Sequence, residues 1–209
     1  MSKSNKEIVS EAKVSLSGKW GEAAMVTTIY LVISIVVSFI LSLSPHMTVL
    51  TVFILAPLTL GYTKYCLDIK AGIFNEYPIL FRWFKVFYIR AVLTYIMMTI
   101  YILLWTLLFI VPGIIKSFSY SQVMFILAED DNITPSAALR KSEDLMRGYK
   151  MAYFLLNLRF IGWGFLSLLT LGIGSIWLVP YITTAQAGFY NDLKEGYTPC
   201  SEANNCSCC

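Results

Sequence analysis

The run Ala91 to Val111, AVLTYIMMTIYILLWTLLFIV, stops at Pro112-Gly113, and a second apolar run, Ile114 to Ala128, IIKSFSYSQVMFILA, follows. About 20 residues at a rise of roughly 1.5 Å each give about 30 Å of helix, the thickness of a bilayer's hydrocarbon core. Pro112 cannot sit inside a continuous helix but is tolerated in the first turn of a new one, so the pair reads as a hairpin. A basic and aromatic lead-in, Arg82-Trp83-Phe84, precedes it, and an acidic exit, Glu129-Asp130, closes it.

The same unit recurs on both sides. Gly18-Lys19-Trp20 and Arg147-Gly148-Tyr149-Lys150 are the other lead-ins, and Leu67-Asp68 and Asn191-Asp192-Leu193 are the other exits. Asp68, Asp130 and Asp192 are evenly spaced by 62 positions, a period that suits a tandem array of helical hairpins. The first hairpin uses Ala23 to Leu43 and Met47 to Leu67 around a turn at Ser44-Pro45-His46. The last uses Tyr153 to Leu171, turns at Gly172-Ile173-Gly174 and returns from Ser175 to Leu193 past Pro180. The expected fold is therefore all-α: a polytopic membrane bundle of six spans, arranged as three tandem hairpins. It forms one integral membrane domain over 1–193, with repeats at about 4–70, 74–131 and 134–193 and a disordered tail over 194–209. A competing arrangement makes Phe160 to Val179 a single span, leaving five spans and the tail on the other side.

Composition supports a membrane setting. With 57% hydrophobic and 14% charged residues and a mean hydropathy of +0.65, the chain has too few polar side chains to cover a water-facing surface. The net charge of +3 is small, and Lys and Arg sit at the ends of apolar runs instead of forming a stripe, which argues against a nucleic-acid partner. Lys3, Lys6, Lys13 and Lys19 precede span one; Lys64, Lys70, Arg82, Lys85 and Arg90 lie between spans two and three; Arg140, Lys141, Arg147 and Lys150 lie between spans four and five. Under six spans these all fall on one side, so the positive-inside bias makes both termini of a multi-pass cell-membrane protein cytoplasmic.

The lead-ins have helical character of their own. Ser4-Asn5-Lys6-Glu7 is a capping-box pattern, after which Ile8, Ala12 and Leu16 share one face. Thr134 as N-cap, Pro135 at the first helical position and Gly148 past the end bracket a second helix, with Ala138, Ser142, Leu145 and Met146 on one face. Both are expected along the inner leaflet. The middle lead-in, Pro78 to Arg90, is dense in aromatics and reads as an interfacial anchor.

Several longer stretches carry a resemblance. Pro112-Gly113-Ile114-Ile115-Lys116-Ser117-Phe118-Ser119-Tyr120-Ser121, Phe160-Ile161-Gly162-Trp163, Leu169-Thr170-Leu171-Gly172-Ile173-Gly174 with Trp177 and Pro180-Tyr181, and Phe189-Tyr190-Asn191-Asp192-Leu193 are the most specific. With Lys19-Trp20-Gly21, Pro57-Leu58 and Gly61, the chain to about Leu193 resembles the bacterial integral membrane family catalogued as domain of unknown function 975. That family is more distantly similar to the membrane domain of some glycerophosphodiester phosphodiesterases, which implies a six-helix fold and no activity. The chain departs from the family's usual pattern at Arg159, where a small polar residue is commoner, and in its Cys-rich tail.

Arg159 is the sharpest local signal, because a charge near the middle of span five costs several kcal/mol unless it finds protein, water or a ligand. One reading makes it the binding group for an anionic lipid or solute, with Lys116 as a second cation from the outer side. The other readings are a snorkelling Arg with Trp163 as its cation–π neighbour, or a shifted span boundary. Lys116, four positions after Pro112, is by itself an outer-interface anchor. Gly162, Gly164 and the Gly172-x-Gly174 pair suit close helix packing.

Enzymatic chemistry finds little material. His46 is the one histidine, in an outer turn without carboxylate neighbours, and the acids cluster in solvated cytoplasmic segments. No cofactor is expected. In the tail, Cys200, Cys206, Cys208 and Cys209 can supply four soft metal ligands, yet their spacing matches no ordinary zinc ribbon, and a dispensable extension is the simpler reading. The leading expectation is a non-enzymatic membrane-integrity, resistance or accessory protein acting through membrane lipids, a membrane-protein partner or a second copy. The alternative is a small carrier for an anionic or amphipathic solute, which requires a continuous polar cavity reaching Arg159.

Overall fold

A computed structural model describes residues 4–42, 48–72, 88–170 and 172–196, with the side chains of 41–42 and 48–52 excepted. All the regular elements described are helices: α1 Asn5–Leu16, α2 Trp20–Ser42, α3 Thr48–Lys70, α4 Tyr88–Leu108, α5 Ile110–Ser119, α6 Val123–Glu129, α7 Pro135–Leu145, α8 Lys150–Leu169 and α9 Ser175–Glu195. The Ser44–His46 turn, the lead-in from Pro78 to Phe87 and the four tail cysteines lie outside the described residues.

Local chemistry starts the short helices where the sequence placed them. The Ser4 N–H donates to Glu7 Oε2 at 2.8 Å, the return half of the capping box at the start of α1. Thr134 Oγ1 accepts from the Ala137 N–H at the start of α7, with Pro135 in the first turn. Each helix then ends on a glycine with positive φ, Gly18 at 81° and Gly148 at 82°, which swings the chain into a long apolar helix. The hydrogen bonds around the two turns recur in register. Ser17 N–H reaches Val14 O and Lys19 N–H reaches Leu16 O; 130 positions later, Arg147 reaches Asp144 and Tyr149 reaches Met146. Ile8, Val9, Ala12 and Leu16 are buried, and so are Ala138, Leu139, Ser142 and Met146 at the same offset.

Those buried faces meet protein and not lipid. α1 packs against α9, α3 and α8, with the Asn5 side-chain amide donating to the Ala152 carbonyl and Tyr181 donating to the Val9 carbonyl. α7 packs against α4, α6 and α5. Neither helix lays its apolar stripe on the inner leaflet as its amphipathicity suggested; the stripe is the same, but its partner is the bundle.

Among the described residues, four stretches are long and apolar enough to cross a membrane: Trp20–Ile40, Tyr88–Leu108, Ile110–Glu129 and Lys150–Leu169. Their outer faces expose Val32, Ile35 and Phe39 on α2, Leu103 and Leu107 on α4, and Phe165, Leu168 and Leu169 on α8. Water would penalise so much contiguous apolar surface heavily, and lipid does not. α9 is equally long but more polar, with Thr183, Thr184 and Gln186 along its middle. It is packed among α1, α2, α3 and α8, so its side chains meet protein on most sides and need not be lipophilic.

The α8–α9 pair is an antiparallel hairpin. Tyr153 meets Phe189 (ring centroids 5.2 Å apart), Gln186 donates to Asn157 at 3.0 Å, Phe160 meets Tyr181 edge-on at 5.4 Å, and the Ser167 and Ser175 hydroxyls lie 2.8 Å apart. Gly172, with φ of 85°, makes the turn. Helix ends at Leu169 and Ser175 rule out one continuous span over Phe160 to Val179.

Two expectations need correction here. The return run after Pro112 is interrupted at Tyr120–Gln122 into α5 and α6, because the Val123 N–H turns to Tyr120 O and leaves the Ser119 carbonyl without its helical donor. Ser142 of α7 fills that role through its hydroxyl at 2.7 Å, which lets a buried break persist. Two of the three acidic exits, moreover, are buried, Asp68 at 6% and Asp192 at 3% exposed, and the third, Glu129-Asp130, is half-buried. Asp68 pairs with Lys64 at 3.5 Å, and Glu129 accepts from Tyr190 at 2.6 Å and from Lys194.

Candidate functional site

Arg159 is the tenth of the twenty residues of α8, and it is exposed on the helix surface. Among the described residues no carboxylate pairs with it; its charge bears on the Tyr181 hydroxyl of α9. One turn further along α8, Trp163 enters the wall of a cavity of about 400 Å³. Trp20 from the start of α2, Trp177, Leu178 and Tyr181 from α9, and Leu166 from α8 complete most of the lining, and Lys13 from the last turn of α1 stands over it. Trp20 and Tyr181 pack at 6.2 Å between centroids, which ties the first lead-in to the last hairpin.

The arrangement has a definite chemical character. Three indoles and two leucines make a wall that accepts hydrocarbon, Lys13 adds a positive charge to the lining, and Arg159 lies outside it, one turn before Trp163 on α8. Lys13 and the indole-bearing residues are brought together by the way α1 turns at Gly18 and lies against α9. Sequence reasoning found Arg159 and Trp163 but missed Lys13, Trp20 and Trp177 as their neighbours. Their shared signal was only that each sits in or near a lead-in or turn.

Lys116 does not join Arg159. It lines a separate cavity of about 290 Å³ that shares no residue with the first. Its Nζ pairs with Glu143 of α7, and it lies 5.4 Å from the Trp105 ring centroid and 5.8 Å from that of Tyr120. The expected outer-interface anchor is therefore an interhelical cation held by a carboxylate from the lead-in helix. Counting four residues from Pro112 placed it by chain distance, whereas the break after Ser119 and the climb of α7 beside α4 set its real surroundings. The cation–π contact foreseen for Arg159 and Trp163 likewise belongs to Lys116 among the described residues.

The glycine expectations divide. A Cβ on Gly162 or Gly164 meets nothing within 4 Å, so neither marks a close crossing among the described residues. A Cβ on Gly174 falls 3.1 Å from Ser167 Cα, and one on Gly113 falls 2.7 Å from Thr106 Cα, so close approach occurs at the two hairpin turns. Cys66 is fully buried with Tyr62, Tyr65 and Leu16, as a small packing residue should be. Among the described residues no three His, Cys, Asp or Glu side chains gather as a metal site needs.

A family model described as "Protein of unknown function (DUF975)" matches the chain over residues 1–117 and again over 107–196. No curated protein and no solved structure matches, and the more distant likeness to the phosphodiesterase membrane domain has no support in these comparisons.

Proposed function

Because the chain belongs to the DUF975 family, whose function is unknown, membership brings no activity with it, and we propose one from the chain's own residues: a non-enzymatic bacterial inner-membrane protein that acts through lipid contacts. It serves membrane integrity, resistance or an accessory role, holding an anionic amphiphile with its apolar part against Trp20, Trp163 and Trp177 and its charge at Lys13 and Arg159. One observation carries this reading: Arg159, which no carboxylate among the described residues pairs, lies exposed on α8 one turn from Trp163, itself in the wall of an indole-lined cavity. A carrier needs a polar path through the centre. The centre instead holds Phe189, Tyr190, Leu156 and Ile126, all buried. The carrier alternative keeps one observation in its favour, the broken return helix with the buried Gln122 Oε1 lacking a partner among the described residues.

The proposal includes six spans as three hairpins, with both termini cytoplasmic. Recurrent turns at Gly18 and Gly148 support the repeat, as do the close contacts of Gly113 with Thr106 and Gly174 with Ser167, each seven positions apart. The Lys and Arg distribution supports the orientation. A membrane-impermeant thiol reagent on intact cells is expected to leave Cys206, Cys208 and Cys209 unlabelled until the membrane is opened. Strong labelling of intact cells would sink the six-span model.

Arg159→Leu tests the lipid reading. The variant is expected to lose the bound anionic lipid seen by native mass spectrometry while melting no lower than wild type in detergent, since a charge in lipid costs on the order of 3 kcal/mol at mid-span. Unchanged lipid content in a folded variant makes Arg159 a snorkelling structural residue and removes this function.

A further inference from the structure

The second cavity carries an inference of its own. It lies between α4, α5 and α7, and its lining brings Lys116 from α5 together with Arg140 and Glu143 from α7. Two cations and one carboxylate therefore border about 290 Å³ of space, with Lys116 and Glu143 in direct contact and Arg140 in the same wall. Ser136, in the first turn of α7, also lines the cavity, so the positive end of that helix's dipole contributes at the wall. Tyr101 and Trp105, both over a third exposed, flank it from α4.

A purely structural ion pair would account for Lys116 and Glu143 alone. It would not account for Arg140 lining the same void or for the charge excess there. A phosphate oxyanion fits these terms: a guanidinium offers a planar fork to two of its oxygens, and an ammonium acts as a point charge on the third side. We propose that this cavity binds a phosphate group between Lys116 and Arg140, displacing the Glu143 carboxylate, which holds the place when no ligand is present. The site is distinct from the cavity lined by Trp20, Trp163 and Trp177 and does not depend on it. Phosphate of this kind can reach the site on a membrane lipid or as a small soluble phosphate.

The test uses the full-length chain, delipidated in neutral detergent and titrated with phosphatidylglycerol, with bound lipids counted by native mass spectrometry. Wild type is expected to hold two, one of which Arg140→Gln weakens by roughly tenfold or more, the scale of a lost charge-assisted bond. Arg159→Leu should remove the other lipid and leave this one. Glu143→Gln, which frees Lys116, should tighten the Arg140-dependent lipid several-fold, an effect a structural ion pair would not produce. Two lipids of unchanged affinity in folded Arg140→Gln, or weaker binding in Glu143→Gln, overturns the proposal. Inorganic phosphate separates the sources: if it raises the melting temperature of wild type but not of Arg140→Gln, the site takes soluble phosphate, and if only the lipid does so, the ligand is a headgroup.

Discussion

Gly113→Val is expected to abolish the native fold or to lower its stability by about 3 kcal/mol or more, the upper end of what overpacking costs. The reason is that a Cβ on Gly113 meets the Thr106 side chain and, at 2.7 Å, the Thr106 Cα. A side chain can rotate away from a clash, but a backbone atom in the facing helix cannot move without opening the whole α4–α5 hairpin. Gly162→Ala and Gly164→Ala are the controls. Both glycines lie inside α8 with open space at the Cβ position, so alanine should be neutral or stabilising by up to about 1 kcal/mol through helix propensity. Denaturant or thermal unfolding in one detergent compares the three directly. A Gly113→Val protein as stable as wild type would mean that the hairpin does not close as described.

Glu129→Ala is expected to cost about 2–4 kcal/mol, because one carboxylate accepts from both the Tyr190 hydroxyl and Lys194. Tyr190 is fully buried and stacks on Phe125 at 5.8 Å, so its hydroxyl has no water to turn to once the acceptor is gone. Most of the cost is thus the orphaned donor, which makes the effect conditional. In a Tyr190→Phe background the same Glu129→Ala change should cost well under half as much, since both partners of the hydrogen bond are then absent. Equal costs in the two backgrounds would place the effect elsewhere. Glu129→Gln, which keeps an acceptor for Tyr190, should fall between wild type and alanine.

Features written in neighbouring residues were legible in the sequence. The Ser4 and Glu7 capping pair, the Thr134-Pro135 start of α7, the Gly148 stop and the Gly172 turn all depend on contacts within a few positions, and each stands where the spacing put it. The break at Tyr120–Gln122 was not legible, because Tyr, Ser and Gln are tolerated in helices and the group that sustains the break is a hydroxyl 23 positions away. Lys116 was misplaced for the same reason: Glu143 is 27 positions off, and only the packing of α7 against α4 and α5 brings it near. Amphipathicity correctly marked the buried faces of α1 and α7. It could not say whether lipid or protein would cover them, since both present hydrocarbon.

The candidate site shows the same division. Arg159 stood out because a charge inside an apolar run is anomalous whatever surrounds it. Trp20 and Trp177 looked like ordinary interfacial residues until α1 and the last hairpin were brought together, and a cavity made by three separated segments has no local signature.

The polarity of α9 also bears on how the chain is made. A segment with Thr183, Thr184, Gln186 and Asp192 gains little by leaving the translocon for lipid alone, whereas the preceding α8 is apolar enough to partition by itself. On the six-span reading, α9 enters the bilayer only against surfaces already waiting for it, those of α1, α2, α3 and α8. α9, which follows α1, α2, α3 and α8 out of the ribosome, thus becomes the helix that those earlier ones enclose, and their packing waits until α9 has been made.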